Sequence, residues 1–199
     1  MKTGEVSWAR MEESIEKVWR RLLRAAAALR AAGVPYAVVG GNAIAARVSR
    51  VDEAAVRNSR AVDLLVRRED FARIRVVLEA AGFVYRQLSA LGRPGRMDVF
   101  LETGDGKVRD ALHIIWAAEK VTAESPEAAP YPVGAEESGG FALLPLEPLV
   151  RMKLSSFRDK DRVHLRDLLE VGLIDQSWVE KLPAALAERL HVILDDPFG

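Results

Sequence analysis

Asp63 stands alone in an apolar run, Val62, Leu64, Leu65 and Val66, between Arg60 and Arg67, with an alanine at position 61. In an extended strand alternate residues share a face, so 61, 63 and 65 point one way and 62, 64 and 66 the other. Two carboxylates at positions 61 and 63 would hold one or two Mg²⁺ ions, which bridge nucleotide phosphates and stabilise an in-line displacement. Here Asp63 is present and its partner position is Ala61. Upstream, the apolar stretch 36–39 runs into Gly40-Gly41 and then Asn42 at the start of a helical pattern. A strand ending in glycines at a helix start leaves backbone N–H groups free and lets a ligand approach closely, and phosphate suits such a place.

The elements that must position these groups follow from periodicity. Trp8, Met11, Ile15, Val18, Leu22, Ala26 and Leu29 recur at steps of three and four, predicting a helix over 7–32 stopped by Gly33. Arg20, Arg21, Arg24 and Arg30 belong mainly to its remaining, solvated surface. A strand is expected at 36–39, a helix at 42–48, a polar segment at 49–60 and a strand at 61–66. A helix over 71–81 carries Phe71, Ile74, Val77, Leu78 and Ala81 on its apolar face. Strands at 96–102 and 110–117 flank the turn "TGDGK". Residues 119–140 read as a loop or embellishment, "FALLPL" as a short strand, and 146–157, 161–171 and 183–194 as helices. The expected fold is therefore α/β, or α+β. It comprises an N-terminal amphipathic helix over 1–33, a small mixed sheet flanked by helices over 34–145, and a C-terminal helical part over 146–199 packed on that core.

Composition narrows the classes. With 199 residues, 49% of them hydrophobic, one compact core with a small helical appendage is expected. Cysteine is absent, which removes disulfides, thiolate nucleophiles and cysteine zinc sites. No window approaches the roughly 18 apolar residues of a membrane span and no apolar signal core opens the chain, so a soluble, cytoplasmic protein is expected. Net charge is zero but unevenly spread. Residues 1–96 hold 18 basic and 10 acidic side chains, whereas 97–199 hold 11 and 19. That asymmetry fits either a polyanionic substrate steered to the first half or two halves that attract each other.

"VVGG" at 38–41, "AVDLLV" at 61–66, "REDFARIRVVLEAAGF" and "LVRMKLSSFRDKDRVHLRDLLEVGLID" at 149–175 resemble the nucleotidyltransferase superfamily of the DNA polymerase β type, in its bacterial minimal, AbiEii-like branch. The resemblance covers about 34–175. It implies a nucleotidyltransferase-like core, with Ala61 at the place of the first metal-binding aspartate and Asp63 as the second. Two accounts fit Ala61: a natural degenerate member that binds without catalysing, or an active enzyme silenced by replacement of an aspartate. The 21 residues between Gly41 and Asp63 exceed the usual spacing, and "RVDEAAVRN", with Arg50, Arg57 and Arg60 nearby, reads as an insertion over the site, an acceptor contact or a surface loop. For the third carboxylate the resemblance leaves Asp98, or the strand at 110–117, where His113 falls on the site-facing position and Asp110 at its start. It also carries Lys153 and Asp161 into the nucleotide site, beside Arg158, Lys160 and Arg162; the alternative is a salt-bridged helix junction. His164 and Asp167 read as structural.

The implied activity is transfer of a nucleoside monophosphate from an NTP, with Mg²⁺ or Mn²⁺, to an acceptor hydroxyl of RNA, protein or a small molecule. In that picture Gly40, Gly41, Asn42, Lys153, Asp161 and Arg162 hold the nucleotide, while Asp63 and Asp98 hold metal. Resemblance to toxin components of toxin–antitoxin pairs implies an antitoxin partner. The competing class is a non-catalytic nucleotide-binding or interaction module of the same fold.

Overall fold

In a computed structural model, residues 7–89 and 96–199 are described. Among them the chain forms one mixed, seven-stranded sheet flanked by helices, the expected class. Helix α1 (Trp8–Ala31) buries Leu22, Ala25, Ala26 and Leu29, while Trp8 and Met11, earlier on the same stripe, remain exposed. Strand β1 (Tyr36–Val39) leads into α2 (Gly40–Val48), and β2 (Val62–Val66) into α3 (Phe71–Ala80). Then come β3 (Val84–Ser89), β4 (Arg96–Leu101), β5 (Leu112–Trp116), β6 (Glu136–Ser138) and β7 (Phe141–Leu143). Helices α4 (Leu146–Ser156), α5 (Asp159–Glu170) and α6 (Ala184–Asp195) complete the chain.

The strand order is β3-β4-β5-β2-β1-β7-β6. Strand β2 pairs antiparallel with β1 and parallel with β5, so it is central and flanked on both edges. That explains its near-continuous apolar sequence: Val62, Leu64, Leu65 and Val66 are all buried, and a strand covered on both faces has no solvated side to alternate with. Leu64, Leu65, Leu112, Leu143 and Leu149 belong to one core with Leu22 and Leu29 of α1. Each fully buried leucine contributes about 1.5–3 kcal/mol by leaving water.

Three of the departures from the expected elements have a local reason. Strand β3 lies where the sequence suggested none, and β6 falls inside the 119–140 segment read as a loop. Each pairs on one side, β3 with β4 and β6 with β7, and edge strands with charged side chains show weak alternation. Helix α5 starts at Asp159 rather than 161, because the Asp161 carboxylate accepts from the Arg158 backbone N–H and caps the turn from inside. No helix among the described residues is long and apolar enough to cross a membrane.

Candidate nucleotide site

The register brings two of the expected residues together at the sheet. Val39 stands opposite Asp63 on one side and His113 opposite Asp63 on the other, so the end of β1, the start of β2 and β5 converge. Gly40 turns the chain out of β1 with φ +69°, and a Cβ built there would lie 1.8 Å from Asp63 Oδ2. Only glycine fits beside that carboxylate. At Gly41 a Cβ would meet the Ser59 side chain at 2.6 Å, so the second glycine serves packing against the segment before β2.

Asp63 Oδ1 is 3.4 Å from His113 Nδ1, and His113 Nε2 is 2.8 Å from the Val108 carbonyl. Both ring nitrogens therefore face oxygen acceptors, an arrangement that favours the doubly protonated ring. Burial pushes the His113 pKa down, but Asp63 and the Val108 carbonyl outweigh it and hold it above its ordinary value. Burial likewise pushes Asp63 up. The hydrogen bond and charge of His113, with Lys160 and Lys153 beyond, outweigh that and keep its carboxyl below the usual range.

Opposite the sheet, the junction of α4 and α5 supplies the second wall. Phe157 takes a left-handed conformation (φ 44°, ψ 33°) that ends α4 and turns directly into α5. Within this turn Asp161 has no exposed surface. It accepts from Lys153 Nζ at 2.8 Å, Ser156 Oγ at 2.7 Å and Arg158 Nε at 2.7 Å. Burial alone would raise its pKa; Lys153 and Arg158 overcome that and hold the carboxyl far below its ordinary value. Between the walls lies a cavity of about 660 Å³, reached by Gly40, Asp63, His113, Lys153, Arg158 and Lys160.

The other expected residues lie elsewhere or are otherwise engaged. Asp98 reaches the same cavity, but its carboxylate accepts from Tyr85 Oη at 2.6 Å, Gln87 Nε2 at 3.2 Å and Trp116 Nε1 at 3.1 Å. Because Val99 pairs with His113, its neighbour Asp98 belongs to the opposite face of the sheet from His113 and Asp63. Arg60 holds Asp110 in a two-point ion pair at 2.8 and 3.1 Å. Both line a separate cavity of about 460 Å³ beside α1, together with Asn42. Asn42 Nδ2 donates to the Ala61 carbonyl at 2.6 Å and so ties α2 to the start of β2. Arg162 lies 4.8 Å from the Phe157 ring and 3.8 Å from Asp159, and does not line the larger cavity.

Lys160, expected only as a member of the basic cluster, and His164, expected to be structural, both lie in this region. Lys160 is exposed as a residue yet lines the cleft, where burial first and then Arg158 and Lys153 lower its pKa against the pull of Asp63. His164 follows one turn later on α5, with Nε2 3.4 Å from where a Gly41 Cβ would stand and a buried Nδ1 that has no hydrogen-bond partner among the described residues. Burial, then Lys153, lower its pKa to about 4. The spacing Lys160, Asp161, His164 on a helix was the available signal, since residues three and four apart share a face.

No family model matches the chain, and no curated relative does. Two solved structures of the antibiotic-resistance factor ANT(2'')-Ia are similar to it over most of their length. The solution structure shares 20% identity over 93% of this chain and 95% of that one, with a TM-score of 0.49. The crystal structure, in complex with adenylyl-2''-tobramycin, shares 21% over 92% and 97%, with a TM-score of 0.42. Likeness at this level assigns no role to any residue here.

The donor set decides what metal chemistry these residues suit. A two-ion centre needs several carboxylate oxygens converging on a shared point. Ala61 offers none, Asp63 faces His113, and Asp98 is engaged by three donors on the other face. Among the described residues, no group of three or more His, Cys, Asp and Glu side chains could hold a metal ion. The residues present do not fit a two-metal site.

Proposed function

We propose that this chain is a nucleotide-binding protein of the nucleotidyltransferase type, which holds the phosphates of a nucleoside triphosphate in the cleft between the Asp63–His113 pair and the α4–α5 junction. Alanine at position 61 keeps transfer of the nucleoside monophosphate to an acceptor hydroxyl at a low level. The observation that carries the reading is the convergence of Lys153, Arg158 and Lys160 on a cavity of about 660 Å³ whose floor is the Gly40–Asp63 contact. A cleft of that size suits a nucleotide, and charge-assisted hydrogen bonds from Lys and Arg are the usual means of holding phosphate oxygens. Lys153, fixed by Asp161, is a preorganised point charge, and Arg158, held along one edge by the same carboxylate, keeps its remaining donors toward the cavity.

Transfer requires that the α-phosphate be neutralised and the acceptor oxygen aligned behind it. An aspartate at 61, the residue just before β2, would add a second carboxylate two positions from Asp63 and supply the one that this chain lacks. The test is a transfer assay with α-labelled NTPs and divalent cation, offering total RNA, lysate protein and aminoglycosides as acceptors, on this chain and on Ala61→Asp. Label appearing with Ala61→Asp and nearly absent from the parent is the expected result, and the labelled species names the acceptor. Nucleotide binding with no transfer by either form would leave a pure binding module. Absence of nucleotide binding by both would overturn the proposal.

A further inference from the structure

We infer that the cleft neutralises a triphosphate with side chains in place of a divalent cation, Lys160 lining the same cavity as Asp63 and bringing the positive charge that such an ion would supply. The inference rests on the proposed nucleotide site and adds how that site achieves charge balance. On the helical wall three cations, Lys153, Arg158 and Lys160, face one carboxylate, Asp161. The surplus of two positive charges equals the charge of one Mg²⁺. On the sheet wall the Asp63 carboxylate is already turned to the His113 ring.

Position and environment select Lys160 from the three. Lys153 and Arg158 are tied to Asp161, whereas among the described residues Lys160 has no hydrogen-bonded or ion-paired partner. Its ammonium nevertheless feels Asp63 across the cavity, which both residues line. A compact ammonium on a flexible stem can follow a phosphate oxygen and contact Asp63 at once, bridging anion to carboxylate as a metal would. A divalent cation entering the same space meets Lys153 and Lys160 as like charges, while two of the carboxylates that line it, Asp98 and Glu119, are already engaged by donors. An incoming free nucleotide anion meets the opposite field.

The test is calorimetric titration of the full chain with ATP, GTP, CTP, UTP and inorganic tripolyphosphate, each in EDTA and in excess Mg²⁺. The expected result is an affinity for at least one nucleotide that changes by less than about threefold between the two conditions. Lys160→Met should weaken it about tenfold in both, as loss of one charge-assisted contact implies. Lys160→Arg should restore most of it, and Lys181→Met, on the remote Trp178 ring, should leave it unchanged. Ala61→Asp should convert the site to one that binds about tenfold more tightly with Mg²⁺ than with EDTA. Binding by the parent that collapses in EDTA would overturn this inference and leave the nucleotide site standing. No binding of any nucleotide in either condition would overturn both.

Discussion

Asp161, on the helical wall of the cleft, has a fully enclosed side chain and accepts from Lys153, Ser156 and Arg158, whereas Asp63, on the sheet wall, keeps 14% of its side chain exposed and faces a histidine ring at 3.4 Å. Both are acids beside the cleft, Asp63 in strand β2 and Asp161 in the first turn of α5, yet one is locked and the other is available. The difference comes from the number of donors. A buried carboxylate persists in a fold when its lone pairs are satisfied, and three side chains do so for Asp161. Asp63 has a smaller set, with the His113 ring at 3.4 Å as its side-chain partner among the described residues. The helical wall is thus a preformed cradle, and the sheet wall is the part that a ligand can rearrange.

The strongest way to break the contrast is to remove the charge at Asp161. Asp161→Asn keeps the volume but leaves Lys153, 5% exposed, without its counter-charge. Breaking a buried pair on one side costs about 3–5 kcal/mol. Urea denaturation should show a loss of that order, while Asp63→Asn, whose His113 partner can shed its proton and so leave no uncompensated charge, should cost clearly less. Equal losses at the two positions would show that the walls do not differ as argued.

A smaller effect sharpens the sheet side. Gly40→Ala introduces a Cβ at 1.8 Å from Asp63 Oδ2 and 3.0 Å from Asp63 Cβ, in a backbone with φ +69°. The left-handed conformation costs roughly 1–2 kcal/mol for a residue with a side chain, and the displaced carboxylate adds to it. A total of about 2–3 kcal/mol is expected in denaturation, together with weakened nucleotide binding in titration. Gly41→Ala meets the Ser59 side chain at 2.6 Å and should destabilise by a similar amount with less effect on ligand, because Gly41 does not line the cleft.

Much of the scaffold was legible because its elements are strongly patterned. The run 62–66, the helical faces of α1 and α3, and the three C-terminal helices all follow from apolar period, and the Gly40–Asp63 neighbourhood follows from two adjacent strands. Side-chain direction was less legible where periodicity stops. Arg60 precedes β2, so strand alternation does not orient it, and it turns to Asp110 instead. Asn42 is two residues beyond Gly40 in α2, about 200° around the helix, and therefore looks away from the cleft. Asp98 sits one residue out of phase with His113, a parity fixed by the β4–β5 register and invisible without it. Strand β3, which supplies two of the Asp98 donors, is an edge strand without a clear pattern.

The two histidines give the finest test of the comparison, because the walls shift them in opposite directions. His113 is raised above its ordinary 6.5, so its contribution to stability is present below pH 6.5 and is lost as pH rises through its folded value. His164 is lowered to about 4 by burial and by Lys153, with Lys160 adding to the effect, so the folded protein holds it neutral. Between its ordinary 6.5 and about 4 the unfolded chain binds the proton and the native one does not. Its contribution is therefore present above pH 6.5 and lost as pH falls, on the order of 1–2 kcal/mol by about pH 5. His164→Gln should flatten the acid side of the stability profile and leave the alkaline side, where His113 acts, unchanged. A variant that retains the parent's acid slope would place the proton uptake on other groups and remove His164 from the electrostatics of the helical wall.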